Sequence, residues 1–315
     1  CEAAWQGLNI CPLGGGSMGS TSFPIDRWMT TKLLGFDRPI PNSIDTVASR
    51  DYALEITATL AMAADTLSRL AFDNYIWSTP EYGYIEVDDS CAVCSSIMPQ
   101  KKNAFTFEHI KAKAGHMAGY AMAMYACMKN IIYSHSKDTS VETTKNLRVA
   151  MQEMESDFVL AELTMRTLTV NKDVMYDHAR RNFCTVTELA NYLVRHDGVS
   201  FREAHEIIAT VVGNLVERKL TCAELDRAFI NEVSRKEFGF ETKLTDELIA
   251  EALDPRRIVE AKKVLGGTAR QEVERQLAAL EEQLVKDEGT LQSRRAGLAT
   301  AQSELDRLTS EMIGG

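Results

Sequence analysis

Apolar residues recur at spacings of three and four along three long stretches of the chain, and this pattern predicts α-helices. The stretches cover residues 51–77, 104–132 and 141–170. The last two predicted helices are near thirty residues each, whereas helices in globular domains average about 11–12 residues. The pattern therefore predicts a long helical bundle that buries faces on other subunits. Residues 81–87 are the one convincing short strand, predicted as half of a small hairpin.

The predicted helices become shorter after residue 175, and their starts are well marked. Three of them open with Ser or Thr followed three positions later by Glu, which is typical of a capping box; these openings are at Thr185, Ser200 and Thr221. Asp197-Gly198 and Asp254-Pro255 are predicted helix ends. We therefore expect a central helical-bundle domain over residues 1–175 and a small C-terminal helical domain over residues 176–262.

The tail, residues 263–315, carries a heptad repeat. Large apolar residues occur every seventh position, at Leu277, Leu284, Leu291, Leu298, Leu305 and Met312. The companion positions hold Val273, Leu280, Ala301 and Leu308, but also Asp287 and Arg294. This pattern predicts a coiled-coil-like helix for oligomerisation or packing, weakened by Gly289 and Gly297. The expected fold class is all-α.

Composition limits the classes of function. A net charge of −10 argues against a nucleic-acid partner or an anionic membrane, because either would repel the chain. Seven scattered cysteines indicate a reducing compartment, and Cys91 and Cys94 lack the further ligands of a zinc site. Without a long apolar run or a signal-peptide pattern, we expect a cytoplasmic protein. Because the chain starts at Cys1 in what reads as a helix interior, we also expect a fragment of a longer protein.

Two stretches carry candidate chemistry. Residues 94–103 read Cys-Ser-Ser-Ile-Met-Pro-Gln-Lys-Lys-Asn and lie on a predicted loop. Lysine, asparagine and backbone N–H groups could stabilise a carbanion next to a carboxylate, and a serine could act as the base. The alternative is a surface loop of ordinary turn residues, and composition alone favours this alternative.

Residues 9–31 are rich in Gly and Pro, and this composition predicts no regular helix there. We expect them to form either a substrate loop or a flexible connector.

Residues 94–103 resemble the signature loop of the fumarase/aspartase superfamily, and their PQKKN ending resembles the argininosuccinate lyase branch. Further segments resemble that branch in the same order, from about residue 5 to about residue 280. They are NICPLGGG at 9–16, NSID at 42–45, SRD at 49–51, YLVR at 192–195, FREAHE at 201–206 and LGGTAR at 265–270.

The resemblance implies a function as well as a long-helix bundle. It implies a lyase that eliminates fumarate from an N-succinyl amino compound by cleaving a carbon–nitrogen bond, with argininosuccinate as the default substrate and arginine as the amine product. It implies no cofactor and no metal ion, and a homotetramer whose active sites draw residues from three subunits. The alternatives are a related lyase that acts on a different N-substituted aspartate, and an inactive structural homologue.

The resemblance also implies residue roles. Ser95 would remove the proton, Lys101 and Asn103 would hold the carboxylate on which charge accumulates, and Glu108 would pair with a catalytic histidine. That histidine is expected in a portion before Cys1, so we expect this chain alone to be inactive. The remaining residues expected to contact the substrate are Ser96, Met98, His135, Lys137 and Ser140.

Several positions depart from the branch pattern. Cys94 replaces a glycine and Ala104 replaces a proline around the signature loop. In the later segment, His135 replaces a tyrosine, Ser140 a glutamine and Thr143 a lysine, and Lys145 could stand in for that lysine only if the loop has slipped by two. Because these positions grip the amino-acid part of the substrate, the departures predict retained elimination with an amine product that can differ from arginine.

Overall fold

Helices make up most of the computed structural model, which describes residues 1–314. The prediction of an all-α protein is confirmed. Within the described residues the helices are α1 Glu2–Leu8, α2 Arg27–Leu33, α3 Ser43–Ala48, α4 Asp51–Trp77, α5 Phe105–Met128, α6 Leu147–Thr167, α7 Lys172–Arg181, α8 Val186–Asp197, α9 Phe201–Glu217, α10 Arg227–Phe238, α11 Asp246–Leu253, α12 Pro255–Ala261 and α13 Arg270–Gly314. The strands have two residues each and are β1 Ile10–Cys11, β2 Arg38–Pro39, β3 Ile85–Glu86, β4 Val93–Cys94, β5 Lys102–Asn103 and β6 Thr169–Val170.

The chain divides into two compact units. The first contains Cys1–Val170 together with the chain from Glu288 onward, and the second contains Asn171–Asp287. The boundaries that the sequence predicts, after residues 175 and 262, remain predictions.

Helices α4, α5 and α6 form the core of the first unit. Near the middle of α5, Met117 packs with Ala64 of α4 and with Ala150 and Met154 of α6. A second cluster lies beneath the start of α5 and contains Ala71, Ile85, Val87, Cys91, Ala104, Phe107, Ile110 and Ala161. The small alanine side chains let the helix axes approach closely, so the three helices bury their shared faces with little bulk between them.

The second unit has its own core, formed by residues of α8, α9, α10 and α11 such as Leu193, Leu215 and Ile230. Two of the predicted capping boxes are present. The Ser200 hydroxyl accepts from the Glu203 N–H at 3.3 Å while the Glu203 carboxylate accepts from the Ser200 N–H at 2.8 Å. The capping box at Thr221 opens a short 3-10 turn.

The capping box predicted at Thr185 is wrong. Thr185 makes no side-chain cap bond, because it ends a 3-10 turn, Phe183–Thr185, and its backbone is already helical. The two predicted helix ends are present: Gly198 adopts a left-handed φ of 75° after α8, and Asp254 follows α11. Asp254 also accepts from the Arg256 N–H at 2.9 Å and so caps α12.

Three local predictions need correction. Strand β3 pairs antiparallel with the distant β6, Ile85 opposite Val170, and forms no local hairpin. Helices α5 and α6 have 24 and 21 residues and are shorter than predicted. In addition, α2 begins at Arg27, inside the glycine-rich stretch, because the Asp26 carboxylate caps the N–H groups of Trp28 and Met29.

The tail forms one helix, α13, which continues through Gly289 and Gly297 for 45 residues. Glu272 stabilises its first turn. The carboxylate of Glu272 is buried and accepts hydrogen bonds from the Gly266 N–H at 2.8 Å and from Nε and Nη2 of Arg275. Among the described helices, none has the length and apolarity needed to span a bilayer.

We predict that Glu272 makes stability depend on acid pH. The Arg275 guanidinium and the Gly266 N–H lower the pKa of Glu272 to about 2 from an ordinary value of 4.5. A carboxyl with a lowered folded-state pKa stabilises the fold fully above pH 4.5, and this stabilisation is lost as pH falls toward 2. Thermal unfolding at several pH values should show a lower Tm for Glu272→Gln at neutral pH and a smaller difference from wild type in acid.

Glu274→Gln is the matched control, because Glu274 is exposed and makes a simple pair with Arg270. An equal effect of both substitutions at every pH would contradict the assigned role of Glu272.

Candidate functional site

The signature loop is closed by a small hairpin. Strand β4 pairs antiparallel with β5, with Val93 opposite Asn103 and Cys94 opposite Lys102. Beyond the strands, the Ser95 N–H donates to the Lys101 carbonyl at 3.0 Å, and the Lys101 N–H donates to the Met98 carbonyl at 3.0 Å. These bonds give residues 95–101 a defined turn.

The base of the hairpin is buried and its tip is exposed. Cys91, Ala104 and Phe107 lie in the hydrophobic cluster beneath it, and the Thr106 hydroxyl donates to the Cys91 carbonyl at 3.4 Å. At the tip, Ile97 is 87% exposed. Cys94, which the resemblance places at a glycine position, lies in strand β4 and outside the positive-φ region, so the cysteine introduces no backbone strain here. The loop is therefore fixed at its base and open to solvent at its tip.

Ser95 is held by its own loop. Its Oγ accepts from the Ile97 N–H at 3.2 Å and from the Met98 N–H at 3.1 Å. Two donors aimed at one hydroxyl oxygen favour negative charge on it, since they interact more strongly with the alkoxide than with the alcohol. Ser96 and Met98 lie on the exposed side of the turn. Ser95 is thus the serine of the pair whose surroundings suit a base.

The two neighbouring lysines have different surroundings. Lys102 Nζ lies 2.7 Å from an Asp89 carboxylate oxygen and 3.1 Å from Glu86 Oε1. The hydrogen bond to Asp89, supported by Glu86, raises the pKa of Lys102. Lys101 is exposed and lies outside this network. Lys102 therefore links the hairpin to Glu86 and Asp89 through ion pairs, while Lys101 is the cation available to a ligand.

Asn103 and Glu108 have partners within the chain. Asn103 Nδ2 donates to the Val93 carbonyl at 3.1 Å, which uses one amide hydrogen and leaves the second for a ligand. Glu108, in the first turn of α5, interacts with Tyr75 of α4. Burial, together with the charge of Glu108 and a hydrogen bond to it, raises the pKa of Tyr75. No pattern in the sequence pointed to this tyrosine, because its contact depends on how α4 packs against α5.

The second predicted group of substrate residues lies between α5 and α6. His135 and Lys137 are exposed, and the Ser140 N–H donates to the Ser136 carbonyl at 3.1 Å. Asp138–Glu142 form a turn of π-helix. At its end Thr143 is fully buried, and its hydroxyl donates to the Asp138 carbonyl at 2.9 Å.

The glycine-rich stretch reaches this second group. The Ser134 hydroxyl contacts Met18 Sδ at 2.9 Å. Gly16 has a φ of 65°, and a Cβ there would lie 2.5 Å from the Ser20 carbonyl oxygen. The stretch is therefore a tight turn in which Gly16 is sterically required.

One chain does not bring all the predicted site residues together. Ser95, Ser96, Met98, Lys101 and Asn103 share the hairpin, and Glu108 follows one turn into α5. His135, Lys137 and Ser140 follow the opposite end of α5. Its 24 residues correspond to a length of about 36 Å at about 1.5 Å per residue. A small substrate cannot touch both groups within one chain.

The described residues offer no evident metal centre. Within residues 1–314, no three His, Cys, Asp or Glu side chains are arranged to hold a metal ion. Cys91 and Cys94 are free thiols, the first buried and the second exposed.

Two family profiles match the chain. The family described as "Lyase" matches residues 2–119, which include the signature loop, and the family described as "Argininosuccinate lyase C-terminal" matches residues 183–260.

Individual relatives are similar over most of the chain. "Argininosuccinate lyase 1" of Shouchella clausii is 42% identical over 308 residues, which are 98% of this chain and 62% of that protein. "Argininosuccinate lyase" of Methanosphaera stadtmanae is 36% identical over 84% of this chain and 57% of that protein. A crystal structure of "EDDS lyase in complex with formate" is 31% identical with a TM-score of 0.94, covering 99% of this chain and 62% of that one. The chain thus spans about three fifths of the length of these relatives.

We predict that Lys102, and not Lys101, holds the hairpin closed. Lys102→Met removes the ammonium shared by Asp89 and Glu86, so amide hydrogen exchange in residues 93–103 should become faster. Lys101→Met is the matched control, because it makes the same change one position away, and it should leave the exchange in residues 93–103 unchanged. Hydrogen exchange followed by mass spectrometry measures both. Equal protection in the two variants would contradict the assignment.

Proposed function

Because the chain belongs to the argininosuccinate lyase branch of the fumarase/aspartase superfamily, we propose that it forms part of a lyase that releases fumarate from an N-succinyl amino compound. The observation that carries the proposal is the hairpin of strands β4 and β5. It presents Ser95 and Lys101 on an exposed turn, while residues next to its strands are buried in the hydrophobic cluster. In the proposed reaction a proton leaves the carbon next to a carboxylate, and the electron pair left on that carbon forms the carbon–carbon double bond of fumarate. The bond between the neighbouring carbon and nitrogen breaks, and the nitrogen keeps the electron pair of that bond and takes up a proton as the free amine.

Ser95 is the proposed base. A serine hydroxyl is a weak base at neutral pH, so it needs surroundings that favour its alkoxide. The N–H groups of Ile97 and Met98 point at its Oγ and offer that stabilisation. Because Ser95 lies at the start of the exposed turn, a substrate can approach it.

Lys101 and Asn103 are the proposed carboxylate-binding groups. Removing the proton places a second negative charge on the carboxylate next to the reacting carbon, and preorganised donors stabilise that charge as it develops. Lys101 offers an ammonium group not bound by Glu86 or Asp89, and Asn103 offers its remaining amide hydrogen. Ser96 and Met98 line the same turn as proposed substrate contacts, and Glu108 is the proposed partner of a catalytic histidine.

We propose that the complete site forms between subunits of a homotetramer. The length of α5 separates the hairpin from His135, Lys137 and Ser140 in one chain, so a neighbouring chain must supply the second group. Large apolar side chains on the bundle helices are exposed, which is expected where subunits pack. They include Met62, Met122, Tyr125, Phe158 and Val159.

The proposed substrate class is an N-substituted aspartate, with argininosuccinate as the first compound to test. The relatives named argininosuccinate lyase favour this compound. The similarity to a protein named EDDS lyase, and the buried Thr143 where the branch has a lysine, favour including other N-substituted aspartates.

We predict that Ser95→Ala strongly slows fumarate formation. The assay uses a chimera in which this chain is joined to the portion of the Shouchella clausii relative that it does not cover. With argininosuccinate or another N-substituted aspartate, the ultraviolet absorbance of fumarate reports turnover. Loss of a positioned base should lower kcat about 100- to 10,000-fold.

Ser303→Ala is the matched control, because Ser303 lies on the exposed face of α13 and its hydroxyl bonds only within that helix. Fumarate from one substrate and not another identifies the amine. A chimera that assembles but produces no fumarate from any N-substituted aspartate would support an inactive structural homologue instead.

We predict that two inactive variants restore activity when they are mixed. If each site takes Ser95 from one subunit and Lys137 from another, a mixed tetramer of Ser95→Ala and Lys137→Ala chains contains some sites with both residues intact. The measurement is fumarate formation after the two chimeras are dissociated together and reassembled. Activity no higher than in the separately treated variants would show that the sites are not shared in this way.

A further inference from the structure

Helices α4 and α5 share a polar contact that follows the hairpin closely along the chain. Tyr75 of α4 is half-buried and packs against the hydrophobic cluster beneath the start of α5, which includes Phe107 and Ile110. Its hydroxyl donates a hydrogen bond to the carboxylate of Glu108, in the first turn of α5. Glu108 itself is exposed. The contact therefore joins a ring held by packing to a carboxylate that could otherwise move in solvent.

Lys111 also holds the Tyr75 ring. Its Nζ lies 3.8 Å from the centroid of the Tyr75 ring and 5.5 Å from that of Phe72. An ammonium group over an aromatic face is attracted by the electrons of the ring. Residues three apart share a helix face, so Phe72 and Tyr75 of α4 meet Glu108 and Lys111 of α5 as two facing pairs. Apolar packing and the ammonium group together restrict the movement of the Tyr75 hydroxyl.

The hydroxyl of Tyr75 is a donor to Glu108 over the whole neutral pH range. Burial, and then the charge of Glu108 and the hydrogen bond to it, raise the pKa of Tyr75 above its ordinary value of 10.0. The phenol therefore keeps its proton. A carboxylate has two oxygens with about four acceptor positions, so the bond to Tyr75 leaves room for a second donor, such as the ring N–H of a histidine.

Fixing Glu108 before that histidine arrives removes a cost from their pairing. A glutamate side chain has many rotamers, and ordering it takes free energy. Where the carboxylate is already oriented, a group that depends on it meets the right geometry from the start. The sequence positions alone do not show this, because Tyr75 and Glu108 lie on different helices.

We propose that Tyr75 is a positioning residue for the lyase reaction, whose hydroxyl holds the Glu108 carboxylate in the orientation that pairs with the catalytic histidine. The inference rests on the proposed function, since that reaction gives Glu108 its histidine partner. Because the phenol is a neutral donor, it also takes up part of the carboxylate's hydrogen-bonding capacity and so moderates the effect of Glu108 on the histidine. Tyr75 acts through Glu108 and not on the substrate.

The first test measures fumarate formation by the chimera with Tyr75→Phe. This substitution keeps the ring, its packing and the contact with Lys111, and it removes only the hydroxyl. We expect kcat to fall about 10- to 100-fold, because a small displacement of a catalytic group can cost about 100-fold. KM should not change, since the substrate binds at the hairpin and not at Tyr75.

Tyr192→Phe is the matched control. Tyr192 lies in the second unit and is also half-buried, it forms a hydrogen bond with Glu251, and the guanidinium of Arg195 lies 5.5 Å from its ring centroid. The substitution thus removes the same group from similar surroundings away from Glu108. We expect kcat of the Tyr192→Phe chimera to equal that of the parent chimera.

The pH profile of kcat separates positioning from a merely structural role. A histidine that gives a proton to the departing nitrogen must be protonated, so kcat falls as pH rises past the pKa of that histidine. Without the Tyr75 hydroxyl, the full charge of Glu108 acts on the imidazolium and raises the histidine pKa. The alkaline limb of the profile should therefore move to higher pH in Tyr75→Phe. A lower kcat with an unmoved limb would overturn the proposal.

A double-mutant cycle tests the contact without using turnover. In thermal unfolding of the chimera, Tyr75→Phe should lower the Tm when Glu108 is present. It should have little effect in a Glu108→Ala background, because the hydroxyl has then already lost its partner. An equal loss of Tm in both backgrounds would show that Tyr75 does not act through Glu108.

The two proposals fail in different ways. A parent chimera that assembles but makes no fumarate contradicts the proposed function, and the role of Tyr75 fails with it. A parent chimera that makes fumarate, together with an unchanged kcat and pH profile in Tyr75→Phe, contradicts the role of Tyr75 alone.

Discussion

Close packing of α4, α5 and α6 is the constraint on which the first unit depends. Alanines such as Ala64 and Ala150 let the helices approach closely, and Met117 and Met154 fill the space between them. Because α5 is one continuous helix of 24 residues, it sets the separation between the hairpin at its start and the segment after its end. The same packing places Tyr75 of α4 beside Glu108 of α5. The architecture of the bundle thus decides which candidate residues can meet within one chain.

The hairpin shows how similar residues acquire different roles. Lys101 and Lys102 are adjacent and chemically identical, but Lys102 belongs to a paired strand, and its ammonium lies within ion-pair distance of Asp89 and Glu86. Lys101 lies in the turn and is exposed. Likewise, of the two serines only Ser95 has an Oγ that accepts two backbone N–H groups. Within this loop, position relative to the strand pair determines which side chains are available to a substrate.

Much of the fold could be predicted from the sequence, because helical periodicity and capping are local. Helix α4 begins and ends at the predicted residues, and the Ser200 capping box is present. The prediction errors arise where contacts between segments distant in the sequence determine the structure. The pairing of Ile85 with Val170 joins residues far apart in the chain, and no local pattern identifies such a partner.

The candidate site, like the fold, could be predicted from the sequence only in part. The sequence pattern marked the loop 94–103 through its residue types and its resemblance, but the difference between Lys101 and Lys102 depends on Asp89 and Glu86, which a linear motif does not include. The location of the loop was therefore predictable, whereas the individual surroundings of its side chains were not.

The π turn at Asp138–Glu142 bears on the amine side of the proposed substrate. Such a turn holds one more residue than an α-helical turn, and here it brings the Thr143 N–H and hydroxyl to the Asp138 carbonyl. A lysine at this buried position would place an ammonium group in the protein interior at a high desolvation cost. Lys145, two residues later, is 70% exposed and pairs loosely with Glu142. The buried Thr143 is therefore a poor position for a cation that binds the carboxylate of an amino-acid product, and this is the physical reason to test more than one N-substituted aspartate.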